Sequence, residues 1–156
     1  MDGDLRVRDG GESQQGVIRQ SGRSEADSHF RVQRAASLAD LGHIYGDEPY
    51  PDDAVLQRWQ TFPGTVLVSE RDDEVVGVAG IEAEWLHGFY VLPGWWGTGV
   101  AGELHEAAVE FGVTRLWCLQ ENGRARGFYE KHGWQLNGET RVVEYPPHPL
   151  DVGYSR

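Results

Sequence analysis

Cysteine is scarce in this chain: Cys118 is the only one among 156 residues. That excludes an internal disulfide and any multi-cysteine metal site. No apolar run approaches the roughly 18 residues needed to span a bilayer. The N-terminus lacks the apolar core of a signal peptide. Basic charge is also in short supply, with 14 Lys and Arg against 25 Asp and Glu, a net charge of −11. Contacts to a phosphate backbone need clustered Lys and Arg, so the balance disfavours a general nucleic-acid binder. It is compatible with cationic or amine substrates, although acidic surfaces are also simply soluble. No His, Asp and Glu set has metal-ligand spacing, so no metal is expected. Neither a Gly-x-Ser-x-Gly elbow nor the Gly-Lys-Ser/Thr of a P-loop occurs. These absences predict a cytoplasmic protein with no membrane and no nucleic-acid partner.

The length makes one domain the default. Residues 1–28 are rich in Gly, Ser, Gln, Asp and Arg and read as a disordered tail. The domain is then expected over 29–156. His29 to Arg34 alternates and predicts a first strand, followed by short helices over Ala35–Ile44 and Ala54–Thr61. Thr65–Ser69 and Val75–Ile81 read as strands around a polar turn, Arg71 to Glu74. A further strand, Leu86–Leu92, leads to a helix from about Gly99 to Phe111 and a strand over Arg115–Gln120. Asn122–His132 predicts the last helix, and Trp134–Leu136 and Leu150–Tyr154 predict closing strands. The fold class is α/β: a mixed, mainly antiparallel sheet with a central parallel βαβ unit from Leu86 to Gln120.

What the chain does have is a glycine-rich turn into a helix, from Phe89 to Leu104. Phe89 and Val91 are alternating strand formers, and Pro93-Gly94 stops the strand. Gly97, Thr98, Gly99, Val100, Ala101 and Gly102 then bring small residues to the helix entrance. Val100, Leu104, Ala107, Ala108 and Phe111 give that helix one apolar face. A helix start leaves four N–H groups unpaired, and Thr98 is the only side chain here of a capping type. Glycine lets the backbone approach a ligand closely. Free amides at the positive end of the helix dipole make an anion site, with phosphate or pyrophosphate as the natural guest. Such strings are common, and a plain β–α turn without a ligand is the competing reading.

The second informative stretch is Asn122-Gly-Arg-Ala125-Arg-Gly-Phe128-Tyr129-Glu-Lys-His-Gly133-Trp134. Asn122 is well placed to cap the helix that follows. Together with Val91-Leu92-Pro93 and Gly97-Thr98-Gly99-Val100-Ala101, in this order and spacing, the chain resembles the GNAT N-acetyltransferase superfamily. The resemblance is sharp from Leu86 to Trp134. It implies a cleft where the two parallel strands splay apart and acetyl-CoA binds as co-substrate. Backbone groups near Phe89 and Val91 would meet the thioester and pantetheine, the amides from Gly97 to Gly102 would hold the pyrophosphate, and Asn122 would lie beside the pantetheine arm. Tyr129 would protonate the leaving thiolate, which a phenol of pKa about 10 can do near neutral pH. Read without the family, Phe128-Tyr129 is an aromatic pair on a core-facing side. One departure stands out: Trp96 occupies the position where the family usually has Arg or Gln before the first glycine, and it is expected to pack on the cofactor.

Transfer from a thioester to an amine also needs a route for the amine proton. Glu82, Glu84 and His87 lie beside the expected acceptor cleft, and Glu84 is the candidate base, with a solvated turn charge as the competing reading. His105 and His132 read as helix-surface residues, and Cys118 as buried rather than nucleophilic. The function implied is direct acetyl transfer from acetyl-CoA to a primary amine of a small-molecule or peptide acceptor. A homodimer is compatible with this. A non-catalytic acyl-CoA-binding module and a nucleotide-binding domain of another class are the alternatives.

Overall fold

The computed structural model describes residues 16–156. Seven strands form one sheet in the order β1-β2-β3-β4-β5-β7-β6. The strands are β1 (Val17–Ser21), β2 (Thr65–Arg71), β3 (Glu74–Glu82), β4 (Trp85–Val91), β5 (Arg115–Leu119), β6 (Gln135–Val142) and β7 (Leu150–Ser155). The helices are α1 (Ala26–Asp40), α2 (Gly42–Tyr45), α3 (Asp52–Gln60), α4 (Val100–Glu110) and α5 (Gly123–Lys131). All neighbours run antiparallel except β4 and β5, so the class is the mixed, mainly antiparallel α/β sheet that the sequence predicts.

Side-chain alternation assigns the layers. On β2 and β3, Val66, Val68 and Val78 join a core cluster with Val32 of α1 and Val55 and Trp59 of α3. Leu67 and Ala79, one residue out of phase, join Leu104 and Ala108 of α4 and Tyr129 of α5. Helices α1 and α3 therefore cover one face of the sheet, and α4 and α5 the other. Asp72 and Asp73 have φ of 54° and 63°, the left-handed pair that a tight β2–β3 hairpin requires.

The N-terminal third departs from the sequence reading. His29–Arg34 is not a strand but lies inside α1. The buried residues there are His29, Val32, Gln33, Ala36 and Ser37, which is helical spacing. The two-residue alternation of Phe30 and Val32 spans too few residues to outweigh it. Residues 17–28, read as tail, supply β1 and the start of α1, while residues 1–15 of that tail lie outside the described residues. β1 is short, with Ile18 packed against the core and Arg19 holding both Glu25 and Glu70, at 2.8 and 3.0 Å. Its cohesion comes from these distant partners, which a local pattern does not reveal. Among the described residues, no helix is long and apolar enough to cross a membrane.

His105 lies on the inner face of α4 and, against the surface position its sequence context predicts, is 1% exposed. The Trp134 indole Nε1–H donates to its Nε2 at 2.9 Å, which makes the ring an acceptor there. Burial, with His132 beside it, pushes the His105 pKa down to about 4. The unfolded chain binds a proton near 6.5, so this histidine's stabilising contribution is complete above about pH 6.5 and lost as pH falls toward 4. The loss is expected to approach roughly 3 kcal/mol. Denaturant midpoints at pH 7 and pH 5 check it: the protein should weaken at pH 5, and His105→Gln, which can still accept from Trp134, should weaken less.

Candidate active site

The site begins with a break in the sheet. β4 and β5 pair only at Trp85↔Arg115 and Leu86↔Leu116. Glu84 fixes that junction, its carbonyl accepting the Thr114 and Arg115 amides at 2.8 and 3.1 Å. Beyond it β4 continues along β3 to Val91, and β5 continues along β7 to Leu119. A bulge helps β4 turn away: Gly80 faces Gly88 but Ile81 faces Leu86, which leaves His87 as the extra residue. The Leu92 N–H donates to the Val76 carbonyl at 2.8 Å. By the alternation of an antiparallel ladder, Tyr90 and Gly88 also bond toward β3. Phe89 and Val91 therefore aim their main-chain groups into the gap.

The gap opens into a cavity of about 390 Å³. β4 contributes Phe89, Tyr90 and Val91, and α1 roofs it with Ala36, Ser37, Asp40 and Leu41. Its far wall is α5, through Asn122, Arg124, Phe128 and Tyr129. Its near end is the glycine turn, through Trp96, Gly97, Gly99, Ala101 and Gly102. Gly99 is the N-cap of α4 at φ 97°, and no side chain caps the helix. Thr98 instead turns its hydroxyl back to the Trp95 carbonyl. Glu103 is the first amide to reach a main-chain acceptor, Gly99, at 3.0 Å. Among the described residues, the amides from Gly97 to Gly102 have no acceptor. That is the donor nest an anion needs.

The turn is held by its two tryptophans. Trp95 lies under the Arg71 guanidinium at 5.6 Å, and Arg71, 5% exposed, also pairs with Glu103 at 2.9 Å. This draws the Glu103 carboxylate onto Arg71 and off the cavity wall. Trp96 donates its indole N–H to the Val91 carbonyl at 2.8 Å, and the Arg124 guanidinium lies 3.6 Å above its ring. So the Val91 carbonyl is already taken, while Phe89 keeps both main-chain groups for a ligand.

At the deep end Tyr129 is 8% exposed, among Phe89, Trp134 and Tyr154 with ring centroids 6.1–6.3 Å away. Its hydroxyl has no hydrogen-bond partner among the described residues. Burial holds its pKa well above the usual 10, so it stays a proton donor. Asn122 caps α5 as the sequence predicts, its Oδ1 accepting the Ala125 amide at 3.1 Å. Cys118 is buried, and burial pushes its thiol up to about 12, which makes it a poor nucleophile.

The structure thus brings Phe89, Val91, Trp96, Gly97, Gly99, Ala101, Gly102, Asn122 and Tyr129 to one cavity. Three expected residues are not among its lining, although the Thr98 and Val100 amides belong to the acceptor-free run. Val100 is fully buried in the core beneath the turn, and Thr98 faces solvent. Glu84 is exposed in the β3–β4 turn, five residues before Phe89, roughly 16 Å of extended chain. It does not line the cavity: Ala83 at φ 54° closes the turn, and the Glu84 carbonyl belongs to the strand junction. Glu82 pairs with His87 at 3.3 Å, and burial lowers the His87 pKa.

Sequence reasoning missed Asp40 and Arg124, which line the cavity. Asp40 is the carboxylate that lines the cavity, and it comes from α1, where the sequence offers no motif. Asp151, 6% exposed on β7, pairs with Leu119 at the free end of β5. Burial raises its pKa, and Arg141 at 3.0 Å opposes the rise.

The family model for the Acetyltransferase (GNAT) family matches residues 32–134. An uncharacterized N-acetyltransferase of Mycobacterium tuberculosis is 36% identical over 95 residues, covering 53% of this chain and 60% of that protein. An uncharacterized N-acetyltransferase of Archaeoglobus fulgidus is 33% identical over 81 residues, covering 41% of this chain and 55% of that protein. The chain therefore spans about 60% or less of these relatives. Among solved structures, YjaB from Escherichia coli superposes with a TM-score of 0.77 at 19% identity, covering 90% of this chain and 96% of that one. The PaiA N-acetyltransferase of Thermoplasma acidophilum, in complex with coenzyme A, gives 0.61 at 18% identity, covering 90% and 99%. The fold is theirs, and with its split sheet and glycine turn inside the matched span, this chain belongs to the GNAT acetyltransferase family.

Proposed function

We propose that this protein transfers an acetyl group from acetyl-CoA to a primary amine. The observation that carries the reading is the run of acceptor-free amides from Gly97 to Gly102, opening into the same cavity as Tyr129. The residues fit the cofactor at both ends. The amides and the α4 dipole suit a diphosphate, and the free main-chain groups of Phe89 suit a pantetheine amide or a thioester carbonyl.

Transfer is direct in this reading. The amine nitrogen bonds to the thioester carbonyl carbon, and the C–S bond breaks. The departing thiolate takes the Tyr129 hydroxyl proton, and solvent later returns it. The amine's own proton leaves by the cavity mouth. No acyl-enzyme is needed, and a thiol raised to about 12 inside the sheet is unsuited to form one. The acceptor amine enters from the α1 side, where the roof of the cavity faces the free ends of β4 and β5.

Calorimetric titration tests the cofactor: acetyl-CoA should bind in the micromolar range, about −8 kcal/mol, with ADP and NAD much weaker. Preference for ADP or NAD would mean a nucleotide-binding domain instead. Binding of acetyl-CoA without transfer across an amine panel would mean a non-catalytic acyl-CoA module. Tyr129→Phe should keep acetyl-CoA affinity within about threefold and lower kcat roughly a hundredfold; an unchanged kcat removes Tyr129 from the proton transfer. At Gly102 a side chain meets open space, so Gly102→Glu should fold normally. Its carboxylate beside the phosphate nest should weaken acetyl-CoA binding roughly a hundredfold or more, and normal affinity would refute the site.

A further inference from the structure

The anion nest lacks a cation of its own. From Leu92 to Leu104 the chain has no Lys or Arg. Two such residues reach the cavity wall, Arg124 and Lys131, both from α5. Lys131 stands seven residues further on, about 10 Å along the helix. Arg124 is in the first turn of α5, and its guanidinium carbon lies 3.6 Å above the Trp96 ring, beside the first glycine of the turn. Trp96 is itself fixed by its 2.8 Å bond to the Val91 carbonyl, so the platform under the guanidinium is rigid. Stacking uses the flat face of the group and leaves its edge donors free. One of them, Nε, meets Asp40 Oδ1 at 3.3 Å across the cavity.

We propose that Arg124, laid on Trp96, is the cationic contact for the diphosphate of the acyl-CoA, and that Asp40 yields the guanidinium to the phosphate when the cofactor binds. This rests on the acetyl-CoA reading above. Asp40 is a single carboxylate at the long end of hydrogen-bond distance, with Arg124 half-exposed. A diphosphate backed by the α4 amides is the better partner, because a guanidinium fork takes phosphate oxygens in bidentate fashion. Trp96 then holds Arg124 in place in the diphosphate site.

The experiment is calorimetry with coenzyme A and with dephospho-coenzyme A, which keeps the diphosphate but lacks the 3′-phosphate. Arg124→Ala should raise Kd for both by about tenfold or more, with the ligand-free melting temperature unchanged. Moving the charge onto the turn, in the double variant Trp96→Arg with Arg124→Ala, should recover most of that loss. Asp40→Asn should tighten binding about threefold, since it removes the competing carboxylate. An unchanged Kd in Arg124→Ala overturns the proposal, and so does a loss seen with coenzyme A alone, which would place Arg124 on the 3′-phosphate. Weaker binding in Asp40→Asn overturns the exchange. If the unaltered protein binds neither ligand, the acetyl-CoA reading itself fails, an outcome distinct from all of these.

Discussion

The site depends on how little β4 and β5 share. Two residue pairs join them, and each strand then stays with its outer neighbour, β3 or β7. In a continuous sheet the main-chain groups of Phe89 and Val91 would be used up in a ladder. Here the Phe89 groups and the Val91 N–H face a cavity instead, while the Val91 carbonyl is held by the Trp96 indole. A ligand that inserts an amide and a carbonyl between the strands completes the sheet. The bulge at His87, the Glu84 junction and the hairpin at Ala83 all set where the strands part. The glycine turn matters only because β4 ends beside the gap and delivers α4 with its amides toward it.

Charge placement follows from the same geometry. In the proposed function a protein of net charge −11 holds a polyanion. Backbone amides and a helix dipole serve this better than loose lysines, because they are fixed and act at short range. The two arginines near the turn are fixed too, Arg71 behind it on Trp95 and Arg124 across it on Trp96. Arg71 neutralises Glu103, which would otherwise stand in the first turn of α4 close to bound phosphates.

Much of this was legible in the chain. The β4–turn–α4 and β5–α5 segments are local: Gly97, Gly99, Asn122 and Tyr129 sit within contiguous stretches whose spacing encodes strand, cap and helix. The fold brings all four to one cavity. What escaped depends on contacts between distant segments. β1 is recruited by Arg19, Glu25 and Glu70, and its five residues carry no periodic signal. His105 reads as an exposed helix residue until Trp134 is placed against it. Asp40 and Arg124 lie 84 positions apart and meet only in the fold. Glu84 is the opposite case: its sequence neighbourhood points to the cleft, while the hairpin sets its carbonyl at the strand junction, outside the cavity lining.

The burial of Tyr129 and Cys118 argues for the division of labour in the chemistry. Both groups are removed from water near the end of the gap, and both pKa values rise for that reason. For a thiol, the rise removes the thiolate that nucleophilic catalysis needs. For a phenol, it preserves the proton that a leaving thiolate needs, and proton donation carries no requirement for prior ionisation. Burial thus argues against covalent catalysis through Cys118. It keeps the Tyr129 proton in place while making the phenol a weaker acid, so in the proposed transfer any gain at Tyr129 comes from position rather than acidity. In the proposed transfer a protonated phenol cannot also take the amine proton, which leaves by the cavity mouth. Asp151, beside the end of β5, has a raised pKa but does not line that cavity. The carboxylate that does line it is Asp40, so the proposed transfer has a carboxylate from α1 and a phenol from α5 on one cavity.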